Sequence, residues 1–249
     1  MNLKVNITIL RSALLKLLLF LTCQMSFAQE TFHIKDGSGT YDLSVRITNC
    51  DEERLRDNSG ICSGPGLINV YRKGSSSPFQ ILNLKNIEVD KEQTAFNSTI
   101  TKKPRQLYDD EYSFIFGDFN FDGREDLAVC NGREGGYGAP SYNVYLYNSR
   151  LNRFIENKRL SGLTEGYLGL FFVDQKRKQL VAFAKGGCCY HGTEKYKVIN
   201  NNPILVESIT EDSSRGDASG DIVVITTKKL VNGKWIKRVS KEKLKEEIP

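Results

Sequence analysis

Short apolar stretches, separated by clusters of Gly, Asn, Asp and Ser, fill the chain from about residue 40 onward. Within them apolar and polar residues alternate, or a short apolar run continues unbroken, and both patterns are typical of β-strands. No apolar stripe repeats at helical spacing over any length. The pattern predicts an all-β protein. Its predicted strands are 41–48, 67–72, 79–84, 112–116, 126–130, 142–147, 167–173, 180–184, 204–209 and 221–227.

The clearest turn is Asn232-Gly233, which separates apolar-rich stretches at 222–231 and 234–239. Asn-Gly supplies the positive φ angles that a two-residue type I′ turn requires, so the sequence predicts a β-hairpin here. We expect residues 29–240 to form one domain. Residues 241–249 are predicted to be a charged tail, and the stretch from Ser240 onward to be a frayed helical turn or disordered.

A faint internal repeat suggests how the strands are organised. Phe116-Gly117-Asp118 precedes the apolar run 127–129, and Phe172-Val173-Asp174 precedes the similar run 180–182. Gly216-Asp217 before 222–224 is a weaker third copy. The spacings, 56 residues from Asp118 to Asp174 and 43 from Asp174 to Asp217, approximate the blade period of β-propellers. The repeat predicts a β-propeller-like single domain, with a β-sandwich as the alternative.

The first 28 residues have the three parts of a secretory signal: basic residues, the apolar run 14–21 and the small-residue ending Ser26-Phe27-Ala28. We expect cleavage before Gln29. Lys16 interrupts the apolar run, which is too short to span a bilayer. Lipid attachment at Cys23 is the alternative.

Removing that segment changes the charge balance. The whole chain has a formal charge of +5, but Lys4, Arg11 and Lys16 lie in the signal, which leaves 32 basic against 30 acidic residues, or +2. A nearly balanced charge argues against nucleic-acid binding, which needs a clustered basic face. No later stretch is apolar and long enough to predict a membrane span.

Export also changes how the cysteines are interpreted, because an oxidising compartment favours disulfides. Cys50 and Cys62 flank a polar segment rich in turn residues, which predicts a disulfide-closed loop. Cys130 is expected to pair with Cys188 or Cys189. Alternatively, the adjacent cysteines bond to each other and leave Cys130 over, since sequence does not determine connectivity.

The most specific motif is the segment 118–126, which has the form D-x-N-x-D-G-x-x-D. It begins like an EF-hand loop, in which oxygen ligands at positions 1, 3 and 5 and a carbonyl at position 7 converge on a hard cation. Position 12 is Val129 and not Glu, so the loop is a shortened one that joins strands. The motif predicts a structural Ca²⁺ site. Its expected ligands are Asp118, Asn120, Asp122, the carbonyl of Arg124, and Asp126.

Residues 116–127 resemble the calcium loop of FG-GAP and VCBS repeat proteins. A wider match extends through 130–132, Gly135 to Tyr142, 144–147 and the segment Gly186-Gly187-Cys188-Cys189-Tyr190-His191. Together these segments resemble a bacterial family of periplasmic immunity proteins. The resemblance implies a propeller-like fold, a short calcium loop and a periplasmic location. It also implies inhibition of lysozyme-like peptidoglycan hydrolases that type IV secretion systems deliver into rival cells.

Residues 131–140 contain four glycines and place Tyr137 at the tip of a loop. A tyrosine offers a large, rigid contact with a polar end, which suits an inhibitor that acts by occlusion. We expect Tyr137, together with Gly136, Gly138 and Tyr142, to contact the partner, with calcium ordering the loop. The alternative is a long hairpin loop without a partner.

Catalysis is not expected. Neither histidine has a recognised ligand spacing, and the competing interpretations of residues 188–191, a metal site or a Cys/His dyad, are less favoured than a disulfide. The signal and the calcium motif predict an exported, monomeric, non-enzymatic calcium-binding protein, and the resemblance implies that it is periplasmic and inhibits a lysozyme-like peptidoglycan hydrolase. The alternative is a calcium-stabilised secreted adhesion or scaffold module of the FG-GAP/VCBS type without inhibitory activity.

Overall fold

The computed structural model describes residues 30–48, 50, 60–91, 94–97, 112–216 and 221–243. The predicted signal, residues 1–28, lies outside these ranges. Among the described residues, no helix has the length and apolar character needed to cross a bilayer.

Strands account for most of the described residues, so the all-β prediction is confirmed. In chain order they are β1 (Glu30–Ile34), β2 (Tyr41–Ile47), β3 (Ile61–Arg72), β4 (Gln80–Asp90), β5 (Ala95–Asn97), β6 (Phe114–Gly117), β7 (Asp126–Gly132), β8 (Ser141–Asn148), β9 (Arg153–Glu156), β10 (Phe172–Asp174), β11 (Gln179–Gly186), β12 (Tyr190–Ile199), β13 (Asn202–Asp212), β14 (Ile222–Val231) and β15 (Lys234–Lys243). One short α-helix, α1 (Lys158–Gly162), follows β9, and the Asn157 side chain caps its first turn.

The strands form three open sheets that follow one another along the chain. The first sheet has the order β1-β2-β3-β4, the second β5-β6-β7-β8-β9, and the third β10-β11-β12-β13-β14-β15. Neighbours in each sheet pair antiparallel, except that β5 lies parallel to β6. Apart from the β5–β6 pair, neighbouring strands in each sheet are consecutive in the chain and antiparallel, as in β-hairpins.

The second sheet lies between two hydrophobic cores. Phe114 and Phe116 of β6 belong to a core shared with the first sheet, whereas Ile115 between them belongs to a core shared with α1 and the third sheet. Successive side chains of a strand point to opposite faces. Because both faces are covered at its centre, β6 and the first five residues of β7 are buried without alternation.

Several boundaries differ from the predicted ones. The predicted strand 167–173 is reduced to β10, and the strands β1, β5, β9 and β12 were not predicted. In β12 only Gly192 and Tyr196 are buried, so its sequence carries little alternation. The prediction for the chain end is wrong over Ser240–Lys243, because β15 continues through these residues.

The internal repeat corresponds to structure in two of its three copies. The first copy is the β6–β7 pair and the second is the β10–β11 pair, which each join two strands within the second and third sheets. The third copy leads into β14, the fifth strand of the third sheet, so it does not start a sheet of its own. Asn232 and Gly233 have φ of 49° and 76° and join β14 to β15, as predicted.

Truncating one residue in each core should show that the two cores are energetically separate. Leu127 and Leu180 are fully buried in different cores, so Leu127→Ala and Leu180→Ala should each lower the free energy of unfolding by about 2 to 5 kcal/mol. In the double variant the two losses should add to within about 0.5 kcal/mol. Urea denaturation measures this, with the exposed Ile81→Ala as control. A larger coupling would contradict two independent cores.

Candidate functional site

The segment 118–126, here called the acidic loop, connects β6 to β7 and is wound around its first aspartate. The Asp118 carboxylate accepts hydrogen bonds from the amides of Asp122 and Gly123, both at 2.9 Å. The Asp122 carboxylate accepts one from the Arg124 amide at 2.9 Å. Gly123 has φ of 84°, a conformation that glycine adopts without steric cost. The motif therefore forms a tight turn at Gly123.

Asp126 closes the acidic loop from inside the protein. Its side chain is fully buried, and its two carboxylate oxygens accept hydrogen bonds from the amides of Phe119, at 2.8 Å, and Tyr147, at 2.9 Å. Burial raises the pKa of Asp126 to about 8, with smaller contributions from the negative charges of Asp122 and Asp118. The carboxylate thus links the loop to β8 at an electrostatic cost.

Burial also disfavours the ionised form of Asp118, the first residue of the acidic loop. Burial raises the pKa of Asp118, and the nearby charge of Asp122 adds to the effect. A hard cation bound by oxygen ligands would offset this accumulation of negative charge. The Asn120 side-chain oxygen accepts a hydrogen bond from the Asp122 amide at 3.2 Å, and the same amide donates to Asp118. The Asn120 oxygen therefore lies close to Asp118 and Asp122. The chemistry of the donor set therefore fits Ca²⁺.

The acidic loop is not the tightest cluster of candidate metal ligands among the described residues. Among the described residues, the group whose candidate ligand atoms all lie within 4.8 Å of one another is Glu30, Cys50 and Cys62, and those two cysteines are joined in a disulfide. The three aspartates of the acidic loop do not form such a group, and both Asp126 oxygens accept hydrogen bonds from backbone amides.

The acidic loop lies where all three sheets meet. Glu125 accepts a hydrogen bond from the Ser38 hydroxyl, at 2.7 Å, on the side of the first sheet. On the side of the third sheet, Gln175 donates to the Asp118 carbonyl at 3.2 Å, and Asn120 donates to Asn201 at 3.0 Å. The acidic loop therefore connects the three sheets through side-chain hydrogen bonds.

The tyrosine loop, residues 133–140 between β7 and β8, presents Tyr137 to solvent. The Tyr137 side chain is 66% exposed, and its φ of 58° is unusual for a bulky residue. Backbone hydrogen bonds maintain this shape: the Gly136 amide donates to the Tyr167 carbonyl at 2.8 Å, and the Gly135 amide to the Ala139 carbonyl at 3.0 Å. Tyr137 is therefore exposed at the tip of a turn that backbone hydrogen bonds hold in place.

The base of the tyrosine loop is anchored to two sheets. Arg133 forms an ion pair at 2.8 Å with Glu88 of β4, whose side chain is almost completely buried. The Ser141 hydroxyl donates to the Asn131 side chain at 2.6 Å and accepts from the Glu134 amide at 3.3 Å. These contacts fix both ends of the loop without involving the acidic loop.

Two expectations about this region need correction. Tyr142 is 1% exposed and its hydroxyl donates to the Tyr112 carbonyl at 3.0 Å, so it is a core residue and not a contact for a partner. The acidic and tyrosine loops also lie at opposite ends of β7, about 20 Å apart for a seven-residue strand. A bound cation is therefore not placed to order Tyr137 directly.

The cysteine predictions are confirmed in part. Cys50 and Cys62 form a disulfide, as expected. The expected bond from Cys130 is wrong, because Cys188 and Cys189 bond to each other and Cys130 is buried, with its thiol donating to the Gly132 carbonyl at 3.7 Å. The adjacent pairing that sequence left open is therefore the one observed.

Sequence analysis missed the neighbours of Tyr137 on the third sheet. The Gly187 amide, fifty residues away in sequence, donates a hydrogen bond to the Tyr137 hydroxyl. The Lys185 ammonium lies 5.9 Å from the centre of the Tyr137 ring, within the range of a cation–π contact. No short-range pattern signals these contacts, since they depend on the stacking of two sheets.

Comparisons with known proteins give one structural relative. The chain is similar to a solved structure described as a Xanthomonas type IV secretion system related protein, with 27% sequence identity and a TM-score of 0.66. The match covers 85% of this chain and 93% of the Xanthomonas protein. Neither protein-family models nor curated protein sequences match the chain.

Replacing the buried carboxylate should destabilise the protein even without metal. In Asp126→Asn one side-chain oxygen becomes an amide nitrogen, so one of the two buried backbone amides loses its acceptor. We expect a loss of about 1 to 3 kcal/mol in the free energy of unfolding in chelator. Chemical denaturation measures it, and the exposed Asp36→Asn should change little.

The pH dependence of that loss provides a second readout. Because the pKa of Asp126 is about 8 when folded and near 3.8 when unfolded, the folded state holds a proton that the unfolded state has released between these values. Stability without metal should therefore fall as pH rises from about 4 to 8, and this component should be absent in Asp126→Asn. Identical pH profiles for the two proteins would contradict the assignment.

Proposed function

We propose that the mature chain is a periplasmic immunity protein that inhibits a lysozyme-like peptidoglycan hydrolase by placing Tyr137 in the enzyme's active-site cleft. The observation that carries the proposal is the exposed Tyr137 on an anchored, ordered turn. Two further features support it: the resemblance of residues 105–195 to such immunity proteins, and the solved relative whose description refers to a type IV secretion system.

The physical requirements of occlusion are consistent with this loop. An inhibitor that blocks a cleft needs a bulky group that is already ordered, because ordering a loop on binding subtracts from affinity. Tyr137 supplies the bulk, and the Gly136 and Gly135 hydrogen bonds supply the order. The left-handed conformation of Tyr137 costs on the order of 1 to 2 kcal/mol. A cost of this kind persists where the surrounding structure fixes the residue, which is common at functional sites.

We further propose that the three successive sheets represent blades of a propeller-like fold and that the acidic loop binds Ca²⁺. Support for the ion comes from the oxygen donors of Asp118, Asn120, Asp122 and Arg124 and from the raised pKa values of the buried carboxylates. The ion would stabilise the junction of the sheets. Asp126 would contribute through lone pairs that its two amide hydrogen bonds leave available.

Calcium should stabilise the protein, and the effect should depend on the charge of Asp122. Ca²⁺ at 100 times its Kd raises the free energy of unfolding by about 2.7 kcal/mol, so the Tm should rise by several degrees. Asp122→Asn retains an oxygen acceptor for the Arg124 amide but removes a negative ligand, so its Tm should respond only weakly. Calorimetry with Ca²⁺ or chelator tests this, with Asp36→Asn as control. An unchanged wild-type Tm would contradict the calcium site.

The inhibitor proposal is tested by peptidoglycan lysis with a panel of lysozyme-type and chitinase-like hydrolases, with and without equimolar mature protein. We expect one enzyme class to be inhibited stoichiometrically. Tyr137→Ala should weaken the complex by about 30-fold or more, as expected for a buried aromatic anchor, while preserving the Ca²⁺ response. Leu151→Ala, which alters a similarly exposed apolar residue outside the loop, is the matched control. Absence of inhibition across the panel would favour the adhesion or scaffold alternative.

A further inference from the structure

The turn between β11 and β12, residues 186–190, lies against the Tyr137 side chain. The Gly187 amide donates to the hydroxyl at the far end of the ring, and the Lys185 ammonium lies 5.9 Å from the ring centre. The rest of the Tyr137 side chain is mostly exposed, so these two groups hold the hydroxyl and one face of the ring. The orientation of Tyr137 therefore depends on the shape of a turn that belongs to another sheet.

That turn contains the disulfide between the adjacent residues Cys188 and Cys189. A bond between neighbouring cysteines closes a small ring around their shared peptide group and thereby restricts the backbone on both sides. The Cys189 carbonyl accepts a hydrogen bond from the Ser213 amide at 2.9 Å, which anchors the C-terminal half of the turn to the end of β13. The N-terminal half carries the Gly187 amide, and the disulfide connects it to the anchored half.

We propose that the Cys188–Cys189 disulfide is a positioning element that aims the Gly187 amide at Tyr137 and so fixes the tyrosine ring. Its consequence for affinity rests on the proposed function of the tyrosine loop, whereas its effect on the ring is a property of the protein alone. When the bond is opened, the dipeptide regains backbone freedom. The partner must then restore that order on binding, which weakens the complex.

The disulfide is also accessible to reduction. Cys188 is exposed, whereas Cys50 and Cys62 are buried. A thiolate of a dithiol reductant can attack the Cys188 sulfur and release the Cys189 thiolate. The second thiolate of the reductant then attacks the reductant's own sulfur in the mixed disulfide, which releases the Cys188 thiolate and closes the reductant into a cyclic disulfide. The dithiol is oxidised, the protein disulfide gains two electrons, and two protons complete the cysteine thiols. Mild reduction would therefore loosen Tyr137 before it affects the buried bond.

The first experiment needs no partner. The variant Cys188→Ala/Cys189→Ala is compared with wild type by NMR amide hydrogen exchange. Folding should be preserved, because the substituted side chains are small and the Ser213 contact uses a backbone carbonyl. We expect the Gly187 amide and the loop 133–140 to exchange several-fold faster, with β7 unchanged. The same change should follow when wild type is treated with dithiothreitol. Unchanged exchange at Gly187 and the loop would overturn the inference.

The second experiment measures affinity for an inhibited hydrolase in a double-mutant cycle with Tyr137→Phe, which removes the hydroxyl acceptor. Removing the disulfide should raise the Kd on the order of three- to tenfold in wild type, and by less than about twofold in Tyr137→Phe. Equal effects in both backgrounds would mean that the disulfide acts elsewhere, which would overturn the inference. If wild type inhibits no hydrolase but the exchange changes appear, the positioning role stands and the proposed function fails.

Discussion

The buried carboxylate of Asp126 is the interaction on which the rest of this structure depends. It joins the acidic loop to β8 through two amide hydrogen bonds, in surroundings where a negative charge is strongly unfavourable. From that fixed point the loop reaches Ser38 on one side and Gln175 and Asn201 on the other. One carboxyl group that is costly to ionise in its buried position thus sets the geometry through which three sheets meet.

The second sheet gives this arrangement its stability. It has a core on each face, and its strands β6 and β7 are almost entirely buried. Its loops therefore leave from a rigid support at both ends of β7. The acidic loop lies at one end of β7 and the tyrosine loop at the other. The strand β7 therefore separates the loop that contacts all three sheets from the loop that carries Tyr137.

Sequence predicted those features that short-range patterns encode. The strands β2, β8 and β14, the Asn232-Gly233 turn, the acidic turn and the exposure of Tyr137 all follow from alternation or from residues with special backbone preferences. Features that depend on packing between distant segments could not be predicted from the sequence. Tyr142 has the same side chain as Tyr137 and lies five residues later, yet the second core covers it. The contact between Gly187 and Tyr137 likewise arises only when the second and third sheets stack.

The last described strand, β15, carries charges that oppose edge-to-edge aggregation of the third sheet. All ten of its residues are exposed, and among the described strands it forms one long edge of the third sheet, which is the kind of edge that recruits further strands. Along it lie Lys234, Lys237, Arg238, Lys241 and Lys243, with Glu242 as the one acidic residue. Two copies that met edge to edge would bring these charges together within a Debye length of about 10 Å at 0.1 M salt. Electrostatic repulsion along this edge therefore opposes growth of the sheet from one molecule to the next.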